Sequence, residues 1–230
     1  MQKTALVTGG SKGIGLAIVH KLLSEGFDVM SVSRTDGQLQ SLKSEFGERL
    51  KIYHADFSSR EGVLKLADIV LSDIKKLDIL VNNAGVFLPG QIHAEESGVF
   101  ELQMALNVSA PYYLSRALLP LMMKHRSGYI FNLCSTASII PYVNGGSYCI
   151  SKHALLGFSK VLRQELIPYD IAVSAVLPGA TLTDSWGNTD LPESRFIRPE
   201  NIAECLWFAW QNRGNCVMEE ILLRPLKGDI

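Results

Sequence analysis

Short apolar runs alternate along this chain with stretches in which apolar residues recur every three or four positions, and the two patterns change places about six times. Runs at 4–8, 27–33, 51–55, 77–81, 128–134 and 171–177 read as buried strands, with 220–223 as a last one. Helical spacing fills the intervals. Leu16, Ala17, Val19, His20, Leu22 and Leu23 lie on one helix that stops at Gly26. Further helices are predicted at 38–46, from near Ser58 through 63–74, at 100–124 in one or two pieces, from about Ser147 to near Pro168, and at 199–211 behind Pro199. Strict alternation of this kind predicts one α/β domain over 1–230, a mostly parallel sheet with helices on both faces. Such a sheet binds ligands beyond the carboxyl ends of its strands.

The chemistry-bearing residues fall at those ends. The first strand runs into Thr8-Gly-Gly-Ser-Lys-Gly-Ile-Gly15 and then a helix. Gly9, Gly13 and Gly15 let backbone approach a pyrophosphate, Ser11, Lys12 and Ile14 complete the turn, and the helix N-terminus faces the anion. The context of strand, glycine turn and helix separates this from an ordinary βα turn and points to a Rossmann-type, doubly wound dinucleotide-binding sheet. The second strand ends in Ser33 and Arg34, where NAD-binding sites usually carry an acidic residue. Arg34, helped by Lys12, suits a 2′-phosphate, so NADP is favoured over NAD, and Asp36 reads as a turn or cap residue. Asp56 ends the third strand, where it could accept from an adenine amino group or cap the next helix. Asn82-Asn83-Ala84-Gly85 follows the fourth strand, its small residues leaving room for cofactor and its amides able to bond backbone across neighbouring strands. Asn107 lies inside the 100–124 helix, either in a special role or as an exposed polar residue.

Tyr148 and Lys152 are four residues apart, one helical turn on the same face, and Ser135 ends the fifth strand thirteen residues before the tyrosine. A free phenol has a pKa of about 10 and exchanges protons poorly near neutrality unless a cation favours its phenolate. Lys152 supplies that charge, and Ser135 can hydrogen-bond the same substrate oxygen. A tyrosine and lysine at this spacing also occur on ordinary amphipathic helices, so the weight rests on the company they keep. Pro178-Gly179-Ala-Thr181-Leu-Thr183 follows the sixth strand. The segment 86–98 reads as a loop with a turn at Pro89-Gly90, and 184–198, with Trp186, Gly187, Pro192 and Phe196, as a loop or lid.

Composition narrows the partners. The 230 residues carry 22 Lys plus Arg against 23 Asp plus Glu, a net charge of −1 that offers no field to nucleic acid or an anionic membrane. No apolar run approaches the roughly 18 residues of a span and no secretory signal is legible, so a cytoplasmic protein acting on small molecules is expected. Cys134, Cys149, Cys205 and Cys216 show neither CxxC nor Cys/His spacing, and no metal site is predicted.

Taken together, the glycine turn, Asp56, Asn82-Asn-Ala-Gly85, Asn107, Ser135, Tyr148-x-x-x-Lys152 and Pro178-Gly-x-x-x-Thr183 resemble the short-chain dehydrogenase/reductase family across essentially the whole chain. That resemblance implies a carbonyl or alcohol substrate, with Tyr148 as proton donor in reduction and Ser135 orienting the substrate oxygen. It further implies Lys152 on the nicotinamide ribose, a proton-relay water held by Asn107, and Thr183 on the carboxamide. Ser33 and Arg34 accompany NADP(H) in the family. Ser147-Tyr-Cys-Ile-Ser-Lys152, Trp186-Gly187, Glu219-Glu-Ile-Leu-Leu-Arg-Pro225 and Gly228-Asp-Ile230 are most similar to bacterial enzymes of the sepiapterin reductase type, which makes a pteridine ketone plausible beside a 3-oxoacyl thioester. The family's habit is a homodimer or homotetramer built on the two long helices, here 100–124 and 147–167. A dinucleotide sensor without turnover is the competing class, and the intact Ser135, Tyr148 and Lys152 argue against it.

Overall fold

In a computed structural model, which describes residues 2–187 and 189–230, seven strands form one parallel sheet in the order β3-β2-β1-β4-β5-β6-β7. The strands are β1 Thr4–Thr8, β2 Asp28–Ser33, β3 Leu50–His54, β4 Ile79–Asn82, β5 Gly128–Leu133, β6 Ile171–Pro178 and β7 Glu220–Leu223. The helices are α1 Gly13–Ser24, α2 Leu39–Phe46, α3 Arg60–Asp73, α4 Val99–Met104, α5 Ala110–His125, α6 Gly146–Leu166 and α7 Pro199–Asn212. The expected single-domain α/β architecture is therefore present, with each strand within about two residues of its predicted bounds.

Because the inner strands are covered on both faces, they are apolar almost throughout. One face buries Val7, Ile18, Val29, Phe131 and Trp210, with α1 and α7 above it. There Phe27 meets Trp210 edge to face, ring centroids 5.5 Å apart. The other face buries Leu6, Met30, Leu66, Leu114, Ile130 and Leu162 under α3, α5 and α6. Strand order reverses between β1 and β4, which opens the crevice at their carboxyl ends. No helix among the described residues is long and apolar enough to cross a membrane.

The stretch predicted as one or two helices at 100–124 is a single path with a π-helical turn at Ala105–Ser109 between α4 and α5. Its cause is Pro111, which has no N–H to offer the carbonyl of Asn107 four residues back, so the ladder widens there. The reading of Asn107 as an exposed residue is corrected, since it is 1% exposed. The segment at 184–198 is anchored at its carboxyl end. Its 3₁₀ turns lie at Asp184–Trp186 and Glu193–Arg195, Phe196 and Ile197 are buried, and Ile197 pairs with Thr181. Asn188 of this segment lies outside the described residues.

Candidate active site

The glycine turn is shaped by what surrounds it. Gly9 and Gly13 have φ of +69° and +55°, and a side chain on Gly15 would run into the Gly9 carbonyl and the Asn83 amide. Asn83 donates from its amide to the carbonyls of Thr8 at 2.9 Å and Gly9 at 3.0 Å. The Thr8 hydroxyl accepts from the N–H groups of Asn83 at 3.0 Å and Ala84 at 2.9 Å. The expected cross-strand bonding of the Asn-Asn-Ala-Gly segment is therefore what fixes the turn. Ile14 packs into the core and can offer a ligand only its backbone. Ser11 gives its carbonyl to Gln38 N–H at 3.2 Å, which ties the turn to the loop after β2.

That turn fits a pyrophosphate on its own geometry. The N-cap of α1, Lys12, makes no side-chain cap bond, and the first turn contains no acidic residue. The helix therefore presents its N–H groups to an anion with no carboxylate of its own competing. Thr183 closes the other side, its methyl 3.2 Å from where a Gly13 side chain would begin. Lys12 pairs with Asp184 at 3.1 Å, both largely exposed, so it leans toward the loop after β6 rather than toward Arg34.

At the ends of β2 and β3, Ser33 is buried and its hydroxyl donates to the Thr35 carbonyl at 2.7 Å. Arg34 is exposed and lies within electrostatic reach of Asp56. Asp56 accepts from Ser58 N–H at 2.8 Å and Ser58 Oγ at 2.6 Å, bonds that hold its carboxyl below the usual range. The cap of α3 is Ser59, not Asp56, so the helix-cap reading of Asp56 is corrected. Asp36, read as a turn residue, accepts from Gln40 at 2.7 Å and contacts His54 at 2.7 Å.

The third group gathers beyond β4 and β5. Ser135 starts a 3₁₀ turn and its oxygen accepts from Ala137 N–H at 3.1 Å. Tyr148 and Lys152 share one face of α6, with the lysine Nζ 5.7 Å from the tyrosine ring centroid. Lys152, 7% exposed, donates from Nζ to the Leu133 carbonyl at 2.7 Å. Burial pushes the Tyr148 phenol up to about 12, against a smaller downward pull from the Ser135 side chain. Burial likewise brings the Lys152 ammonium down to about 8. In the chain alone, desolvation thus outweighs the pull of the Ser135 side chain, and the phenol lies above its free value.

Asn107 joins this group through a full set of side-chain bonds. Its Oδ1 accepts from Val86 N–H at 2.8 Å, and its Nδ2 donates to the Val86 carbonyl at 2.9 Å and to Ser151 Oγ at 2.9 Å. A side chain on Gly85 would begin 2.7 Å from Asn107 Oδ1 and 3.8 Å from Lys152 Nζ, so Gly85 permits this closeness. Pro178 pairs with Leu223, Gly179 N–H donates to the Leu223 carbonyl at 2.8 Å, and Thr181 Oγ1 turns back to the Gly179 carbonyl at 3.0 Å. These three shape the loop that carries Thr183.

Sequence reasoning missed the buried polar chain beneath the site. Asn82 Nδ2 donates to Ser115 Oγ at 3.0 Å and to Asn132 Oδ1 at 2.7 Å, and Asn132 Nδ2 donates to Ser159 Oγ at 2.8 Å. The available signal was an asparagine just past one apolar run and another inside the next, residues that must find partners when buried.

The family profile described as short chain dehydrogenase matches residues 3–193. The chain belongs to the short-chain dehydrogenase family. This dehydrogenase is 32% identical over 242 aligned positions to a sepiapterin reductase of Chlorobaculum tepidum, covering 100% of this chain and 99% of the relative. A metagenomic short-chain oxidoreductase solved in complex with NADP superposes with a TM-score of 0.85 at 31% identity, covering 97% of this chain and 96% of that one. L-sorbose reductase from Gluconobacter frateurii, solved with NADPH and L-sorbose, gives a TM-score of 0.88 at 30% identity over 98% and 97%. The dehydrogenase is accordingly an oxidoreductase, and its sheet is that of the family.

Proposed function

We propose that this oxidoreductase uses NADP(H) to reduce the carbonyl of a small molecule, with Tyr148 as the general acid. The observation that carries the reading is the meeting of the Tyr148 phenol, the Ser135 hydroxyl and the buried Lys152 ammonium where β5 meets α6, with Lys152 Nζ 5.7 Å from the tyrosine ring centroid. Reduction puts negative charge on the substrate oxygen, and a phenol that holds its proton at neutral pH is in the state a donor needs. The Ser135 oxygen already accepts from Ala137 N–H, which leaves its own proton to orient and polarise that oxygen. As the proton leaves Tyr148, the Lys152 charge stabilises the phenolate, and the lysine also holds the nicotinamide ribose. Asn107 has its side chain fully engaged, so its main-chain carbonyl, denied an N–H by Pro111, is the group that holds the relay water. The dinucleotide, when bound, supplies the hydride.

Gly9, Ser11, Gly13, Ile14 and Gly15 would carry the pyrophosphate on backbone, with Asn83, Ala84 and Gly85 beside it. Arg34 would take the 2′-phosphate with Ser33 beside it, joined by Lys12 only when it leaves Asp184, Asp56 would take the adenine through its second oxygen, and Pro178, Gly179, Thr181 and Thr183 the nicotinamide end. The preference for NADP(H) is supported by the basic end of β2 and by the NADP complexes among the solved relatives.

For the substrate, Phe87 stands edge to face on Tyr148 with ring centroids 4.8 Å apart, and Tyr142 lies within electrostatic reach of the same phenol. Two aromatic neighbours suit a flat, uncharged ring system, and a pteridine side-chain ketone, as in the sepiapterin reductase relative, is the proposed class. A homo-oligomer in the cytoplasm completes the reading, supported by Phe100, Tyr112, Ile150 and Val161 exposed along α4, α5 and α6. The test is turnover of a pteridine ketone, simple aromatic and aliphatic ketones, and a 3-oxoacyl thioester with NADPH, read at the nicotinamide absorbance. Fastest turnover of the pteridine supports the reading, preference for the thioester replaces the substrate class, and cofactor binding without any turnover supports a sensor.

A further inference from the structure

We propose that Glu95 is a positioning residue for the proton donor, holding the first turn of α6, and with it Tyr148, from the loop at 86–98. Its carboxylate accepts from Ser147 N–H at 2.7 Å and from the Ser147 hydroxyl. Ser147 is 2% exposed and directly precedes Tyr148. The N-cap of α6 is Gly145, which has no side chain to satisfy the free N–H groups of the first turn. Glu95 provides that acceptor from 52 residues away in sequence, with a charge that suits the N-terminus of a 21-residue helix.

The surroundings are cut to admit this carboxylate. A side chain on Gly146 would collide with Glu95 Oε1, and one on Gly90 would begin 2.7 Å from Glu95 Cγ. Around it the loop is sewn to the approach to α6. Gly90 N–H donates to the Asn144 carbonyl at 2.9 Å, Gly90 pairs with Gly145, and Gln91 donates to Asn144 Oδ1 at 3.1 Å. The same loop also carries Phe87, whose ring rests on Tyr148. It therefore grips the tyrosine twice, by its helix through Glu95 and by its ring through Phe87. Glycine-turn residues and Arg34 play no part in this contact, and Lys152 is held separately by the Leu133 carbonyl, so disturbing Glu95 displaces the phenol far more than it weakens the dinucleotide.

The inference rests on Tyr148 being the proton donor. Native turnover that is lost in Tyr148→Phe tests that premise by itself, so results with Glu95 on an active enzyme bear on Glu95 alone, and a native enzyme with no turnover would take both away. The experiment measures kcat, KM and the NADPH Kd, from nicotinamide fluorescence, for the full chain and for Glu95→Gln and Ser147→Ala. Glu95→Gln keeps the shape but removes the charge at the helix N-terminus and one of the two acceptor oxygens, so the Ser147 hydroxyl can only accept from the amide NH₂; kcat should fall about tenfold or more, with the NADPH Kd within about twofold of native. Ser147→Ala keeps the main-chain bond and should lower kcat about threefold, again without weakening NADPH. A kcat within about twofold of native in both variants overturns the proposal, as does a loss of NADPH binding equal to the loss of kcat, which would mark a general structural role. Should Glu95→Gln not fold, Ser147→Ala decides: native kcat refutes the proposal.

Discussion

Asn107 and Ser151 join two helices under the candidate active site: the asparagine Nδ2 donates to the serine Oγ at 2.9 Å, and that hydroxyl donates in turn to the Tyr148 carbonyl at 2.8 Å. The π-helical turn is thereby tied to the helix that carries the phenol. Replacing Asn107 by Ala removes this tie and strands Val86 N–H, which only the asparagine oxygen satisfies among the described bonds. Asn107→Ala should cost about 3 kcal/mol by chemical denaturation and lower kcat. A loss below about 1 kcal/mol would show that the carboxamide is dispensable.

Pro111→Ala separates the shape of that turn from its side chain. It returns an N–H to the Asn107 carbonyl and lets the helix run as an ordinary α-helix. Thermal stability should hold or rise while kcat drops about tenfold, because the carbonyl assigned to the relay water is then taken. Native kcat in a well-folded Pro111→Ala would remove the relay from the account.

The fold was legible in the sequence wherever a local pattern decided it, and less so where distant residues met. Strand runs, the glycine turn and the phenol–ammonium spacing all lie within a dozen residues of chain, and Asn83 bonds across strands as its sequence context suggests. The widened turn at Asn107 had a readable cause in Pro111, but only once the spacing of four was weighed against the helix ladder. Glu95 on Ser147 and Asn82 on Asn132 join residues 52 and 50 apart, and nothing near either partner announces the other. The displaced pKa values of Tyr148 and Lys152 belong with these, since they arise from burial and not from spacing.

Those displacements set a pH dependence of stability. Lys152 falls from 10.5 to about 8 on folding, so between those values the unfolded chain binds more protons and stability rises with pH. Tyr148 climbs from 10.0 to about 12, so from pH 10 upward the folded chain binds more protons and stability declines. Between pH 8 and 10 cofactor-free native protein should therefore gain about 1 to 3 kcal/mol relative to Lys152→Met, a comparison that cancels the opposing loss from the buried Cys134 thiol, pushed up to about 11. Equal pH slopes in the two proteins over this window would contradict the buried ammonium.

The basic end of β2 predicts the dinucleotide. Arg34→Asp should weaken NADPH at least about tenfold while leaving NADH equal or tighter, measured as the ratio of kcat/KM for the two cofactors. An unchanged ratio would take the 2′-phosphate away from Arg34. Lys12→Ala should shift the ratio less, because Lys12 is partly engaged by Asp184 at 3.1 Å.

The central claim, proton donation by Tyr148, is tested most directly by the rate of NADPH oxidation with a reducible ketone in native protein and in Tyr148→Phe, alongside NADPH affinity in both. Tyr148→Phe should bind NADPH as the native protein does and lose at least about a hundredfold in kcat, since only the phenol O–H is removed. A Tyr148→Phe protein that turns over at the native rate would contradict it.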